Sequence, residues 1–141
     1  MKHATWFVAV AFVVLSGMAV AQLIGSTRVV AQVPFEFMVA NKIVPAGECE
    51  VQAITMDGQT LVIRNAEAKV GLFSRSSQAE SKQNASNYAL VFKHYGDHYF
   101  LSEIRLQGSK ITYRLPESKL EVELRAQNVS ATEETLRASL K

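Results

Sequence analysis

From residue 28 to residue 115 apolar side chains recur at every second position, and turn-forming residues interrupt them every few residues. That pattern leaves little choice of fold. A period of two puts alternate side chains on opposite faces of an extended strand, and a helix cannot satisfy it. Phe35, Phe37 and Val39 share one face while Glu36 points away; Cys49, Val51 and Ala53 oppose Glu48, Glu50 and Gln52. Asn41–Lys42, Pro45–Ala46–Gly47, Asp57–Gly58, the stretch 65–69 and Gly96–Asp97 supply the turns. Asp57–Gly58 is the sharpest of them, because a two-residue hairpin needs positive φ at its centre. Residues 88–95 are apolar on both faces, as expected of a central strand covered from both sides. About seven short strands at this spacing predict a mainly β domain, an antiparallel β-sandwich or a small barrel-like meander.

Two segments depart from the rhythm. Residues 74–87 are rich in Ser, Gln, Asn and charge and lack apolar anchors, so they read as a flexible loop. Near the C-terminus, Leu120, Val122 and Leu124 alternate with Glu121, Glu123 and Arg125 like a strand. Yet Ser118 and Glu121 form a capping box, Glu121 and Arg125 are a helical ion pair, and Pro116 precedes them, which favours a helix. Ser130 and Glu133 repeat the box, with a thin Leu136–Leu140 stripe, so one or two C-terminal helices are expected. The organisation is then a leader over 1–21, a linker over 22–27, a β-rich domain over 28–126 and a helical tail over 127–141.

The leader rests on residues 1–21. Met1–Lys2–His3 is basic, 4–15 is an uncharged apolar run, Ser16–Gly17 breaks it, and Ala19–Val20–Ala21 places small residues before Gln22. This is the layout of a cleaved secretory signal, so the chain is expected to be exported, to the periplasm or beyond the cell. The uncharged stretch 4–21 is barely long enough for a retained anchor. A lipid anchor needs a cysteine where Gln22 stands. No stable membrane anchor is therefore expected after cleavage. Without Lys2, 14 Lys plus Arg face 13 Asp plus Glu with no basic tract, which argues against a nucleic-acid partner. Cys49 is the lone cysteine, so no internal disulfide can form and packing must stabilise the domain.

Two stretches carry a family resemblance: Val33–Pro34–Phe35–Glu36–Phe37–Met38–Val39 running on through Pro45–Ala46–Gly47 to Val51, and Leu90 through Tyr95–Gly96–Asp97–His98–Tyr99–Phe100–Leu101–Ser102–Glu103. On these the chain resembles a family of small exported β-rich proteins of Acidobacteria-type bacteria. That family has an aromatic, usually tyrosine, where this chain has Cys49. The resemblance implies a β-rich exported domain and no activity, ligand or catalytic residue.

Chemistry-bearing residues are few. His94, Asp97 and His98 surround one turn and offer three possible metal ligands, of which imidazole suits zinc or copper, though a full site needs a further ligand. Tyr95 and Tyr99 beside Asp97 are candidates for a ligand mouth or partner surface, since interfaces favour tyrosine. Cys49 sits among acidic neighbours that disfavour a thiolate, and no serine-hydrolase turn motif occurs. No catalytic residue and no cofactor are expected. The composite expectation is an exported, non-catalytic binding or structural module whose partner is a protein or another envelope component. A carrier of a small apolar ligand in a barrel cavity is one alternative. A metal protein or enzyme built on His94, Asp97 and His98 is the other.

Overall fold

The computed structural model describes residues 27–141. The expected leader, and all but the last residue of the 22–27 linker, lie outside them. Strands β1 (Arg28–Val33), β2 (Phe37–Val39), β3 (Lys42–Val44), β4 (Gly47–Ala53), β5 (Thr60–Asn65) and β6 (Val70–Arg75) form the first half. Then come β7 (Ser77–Glu80), β8 (Ala89–Tyr95), β9 (His98–Arg105), β10 (Ile111–Arg114), helix α1 (Lys119–Ala126), β11 (Thr132–Arg137) and β12 (Ser139–Leu140). No helix among the described residues is long and apolar enough to cross a membrane.

The strands make two sheets. One runs β12-β1-β4-β5-β6, the other β11-β8-β9-β10-β7. The second also holds a β2–β3 hairpin, because the outer edge of β9 is divided. Its C-terminal half pairs with β10, while Phe100 meets Met38 of β2 in parallel. The result is the sandwich of the two architectures considered, and the sheets do not close into a barrel.

The core lies between them, built from the faces that alternation nominates. Val29, Val33, Cys49, Val51, Ile63 and Leu72 come from the first sheet, and Phe37, Val44, Leu90, Phe92, Leu101 and Ile104 from the second. Each such side chain withdrawn from water contributes about 1.5–3 kcal/mol before conformational entropy is set against it. The ring of Phe92 is central. Phe35 and Phe37 meet it edge-on at 5.0 and 5.1 Å, which is what their spacing of two residues allows.

Buried Asn65 organises one end. Its Nδ2 donates to the Pro45 and Ala46 carbonyls at 3.0 and 3.2 Å, and its Oδ1 accepts from the Ala68 N–H at 3.1 Å. Gly47 holds φ +137° beside it, where a Cβ would come within 3.1 Å of Nδ2. The Pro45–Ala46–Gly47 turn is thus locked from across the sheet by one amide.

Two expectations are corrected. The segment 74–87 is not irregular throughout: Ser77–Glu80 is β7, which pairs residue for residue with β10. Ladder hydrogen bonds join backbone to backbone, so a polar stretch without apolar anchors can still complete an edge. Beyond it, the Ser81 N–H donates to the Lys110 carbonyl, and Ala85 exchanges bonds with Ser109 and Gly108.

The tail 127–141 is not helical either. α1 starts at the first of the two boxes, although the Ser118 side chain makes no cap hydrogen bond and Asn41 Oδ1 accepts from the Lys119 N–H instead; the second segment becomes β11 and β12. A two-leucine stripe cannot anchor a helix, whereas the open edge of β8 offers six partners to Thr132–Arg137. Ala138 then crosses between the sheets, its N–H donating to the Tyr88 carbonyl, and β12 pairs with β1. The β-rich domain therefore runs to the chain end and not to residue 126.

Candidate functional site

The residues nominated around the Gly96–Asp97 turn do not converge. Strand pairing sets His94 opposite Tyr99 and Tyr95 opposite His98, so the two histidines project from opposite faces of the hairpin. The His94 ring stacks on Tyr99 at 4.9 Å, and its Nδ1 lies 3.4 Å from the Gly96 carbonyl oxygen. Asp97 and His98 are exposed. Among the described residues no three His, Cys, Asp or Glu side chains are grouped to hold a metal ion.

The tyrosines serve packing. Tyr99 stacks on Phe35 with centroids 3.8 Å apart, and Tyr95 is 4 % exposed. The Tyr95 hydroxyl donates to Oε1 of buried Glu121 on α1 at 3.4 Å. Burial is the main cause raising the Glu121 carboxyl above its ordinary range, with the Glu117 charge second. Tyr95 therefore does not present a ring to a ligand. Cys49 is also enclosed, 1 % exposed, and burial followed by the Glu50 charge pushes its thiol up to about 12. A thiol held so high is no nucleophile at neutral pH.

Between the sheets, an apolar cavity lined by Val29, Val51, Leu61, Ile104 and Tyr113 measures about 80 Å³. Typical small-molecule pockets run from about 300 Å³ upward, and this space is well below that.

A larger concavity, about 610 Å³, lies on the outer face of the second sheet. Its floor is one register row across five strands: Arg137–Ala89–Arg105–Thr112–Ala79. Because paired residues share a face, all five side chains project to the same side. The next row, Thr135–Val91–Glu103–Arg114–Ser77, adds a carboxylate and a third guanidinium. The small side chains of Ala89 and Ala79 leave the hollow, and Glu80, Ser81 and residues 83–88 form its rim, with Asn84, Asn87 and several hydroxyls.

Glu103 orders the charges. It pairs with Arg105 at 3.2 Å and Arg114 at 3.4 Å, and Arg105 also reaches Glu133 at 3.5 Å. Arg137 has no ion-pair partner among the described residues. The arrangement can bind a polar ligand from a groove rich in both donors and acceptors.

This cleft lies at the far end of β8 and β9 from the Gly96–Asp97 turn. A signal was there: Glu103–Ile104–Arg105, Thr112–Tyr113–Arg114 and Thr135–Leu136–Arg137 each put a polar residue and an arginine outward around an apolar one. Read singly, each is an ordinary solvated strand face. Only the register makes them neighbours.

The fold and cleft together define a two-sheet β domain with a polar surface groove. No protein-family model, curated protein or solved structure matches the chain.

Proposed function

We propose that the chain is an exported, non-catalytic binding module that holds an envelope component in the cleft over Ala89 and Thr112. The observation that carries this reading is the contrast between the two hollows: 610 Å³ of polar groove outside the sandwich and 80 Å³ within it. A carrier of apolar cargo would need the reverse. The groove's volume falls in the range of about 300–1,000 Å³ usual for ligand clefts. The leader-like residues 1–21 support export, and the even charge balance speaks against a nucleic-acid partner.

The test is capture from envelope extract on immobilised chain from Gln22 onward, read by native mass spectrometry. A second column carries Ala79→Trp, which fills the groove from the edge strand β7. The expected result is a component retained by the wild type and lost from the variant. Equal retention on both columns, or none on either, overturns the reading.

A further inference from the structure

We propose that the cleft takes an acidic oligosaccharide and that Arg137 receives its carboxylate; this rests on the cleft being the binding site. The lining decides the chemistry. Guanidiniums and the amides of Asn84 and Asn87 donate, Glu80 and Glu103 accept, and the hydroxyls of Thr112 and Thr135 do both. A polyphosphate offers acceptors alone and would leave both carboxylates without a donor to accept from. A polyhydroxylated chain needs that mixture, since every sugar hydroxyl both donates and accepts.

The charge pattern adds the acid. Arg105 is paired with Glu103 and Glu133, and Arg114 with Glu103, so two of the three guanidiniums already have carboxylate partners. Arg137 is exposed, unpaired among the described residues, and at one end of the five-strand row. A guanidinium in that position suits a carboxylate bidentately. The site thus has one free cation beside a run of neutral polar groups, which matches a sugar carrying one carboxylate and not a densely charged polymer.

An acidic peptide fits less well. Peptides commonly gain affinity by adding a strand to an open sheet edge. The β8, β9 and β10 parts of this floor are paired on both sides, so a peptide could add a strand only at the outer edges of β7 or β11, beside the groove and not across its floor. The floor itself consists of alanine, threonine and arginine, with no apolar socket for a side chain.

The experiment titrates tetragalacturonate into the ¹⁵N-labelled chain from Gln22 onward and follows amide shifts, with calorimetry for affinity. Parallel titrations use a neutral tetrasaccharide, inorganic phosphate and tetraglutamate. Shifts confined to residues 79–89, 103–114 and 135–137 are expected, with at least tenfold weaker binding of the other three probes. Arg137→Gln, an exposed position, is expected to keep its circular dichroism and lose about tenfold in affinity. Equal binding of the neutral sugar, or an unchanged R137Q, overturns the role of the carboxylate. Tighter binding of tetraglutamate or phosphate overturns the sugar. No binding of any probe overturns the ligand class, and the Ala79→Trp capture result then decides separately whether the cleft binds anything.

Discussion

Tyr113 of β10 lies directly over Gly58, so close that a Cβ on the glycine would collide with Cε1 and sit 3.0 Å from Cζ. Gly58 belongs to the β4–β5 turn of one sheet and Tyr113 to the other sheet. Around them the Ser76 hydroxyl donates to the Gly58 carbonyl, and Gln78 Nε2 donates to the Asp57 carbonyl at 2.6 Å. The turn signal Asp57–Gly58 therefore does more than reverse the chain. It docks one sheet on the other.

Gly58→Ala is accordingly expected to lose about 2–4 kcal/mol, combining a residue at φ +69° with displacement of the ring. Urea unfolding measures it. Tyr113→Ala in the same chain should restore part of the loss, because the two changes share one contact. Strict additivity would show that the glycine is needed for the turn alone.

Glu121 sets a pH dependence with an unusual sign. Its carboxyl is raised by burial, so the folded state favours the protonated form. That contribution is complete below the ordinary glutamate range and is lost as pH rises through the raised folded value. Glu121→Gln keeps an acceptor for the Tyr95 hydroxyl and cannot ionise. The variant should match the wild type in acid and exceed it at neutral pH, read as urea midpoints across pH. A constant difference at all pH values would place the effect elsewhere.

The Glu50–Lys141 pair acts in the opposite sense. Lys141 Nζ lies 2.9 Å from Glu50 and 3.5 Å from Glu48, tying the last residue to β4 across β1. The hydrogen bond from Lys141 is the main cause holding the Glu50 carboxyl low, against burial, with the Lys141, Arg28 and Arg64 charges assisting. Its stabilisation is present above the ordinary glutamate range and is lost as pH falls through the lowered folded value. Lys141→Met should flatten the acid limb of the stability profile. An unchanged limb would mean the pair contributes nothing measurable.

Ending the chain at Ala131 removes β11 and β12 together. Strand β8, with Leu90 and Phe92 fully buried, would become an open edge, and β1 would lose its outer neighbour. Loss of the cooperative unfolding transition is expected, with a tendency to aggregate through the new edge. A truncated chain that unfolds like the full one would mean the tail is an ornament.

Much of the sandwich is legible residue by residue. Phe35 and Phe37 announce a shared face, Asp57–Gly58 a turn, residues 88–95 an interior strand, and Ser118–Glu121 a helix start. Each is a local pattern, and α1, β8 and the β4–β5 turn stand where those patterns lie. β7 and β11 are different. Ser77–Glu80 and Thr132–Arg137 contain little that is apolar, so nothing local separates them from a loop or a frayed helix. Their structure comes from edges elsewhere that need partners.

The cleft follows the same division. That Arg105, Arg114 and Arg137 face outward is written in the alternation of their own strands, because side-chain direction depends only on position within a strand. That they meet around Ala89 and Thr112 depends on pairings between residues as far apart as Ala89 and Arg137. The ladder bonds that set those pairings are made by backbone groups common to every residue, so no side chain records which strand will lie beside which. The sequence by itself determined the strands and their faces; the tertiary structure decided which faces became neighbours.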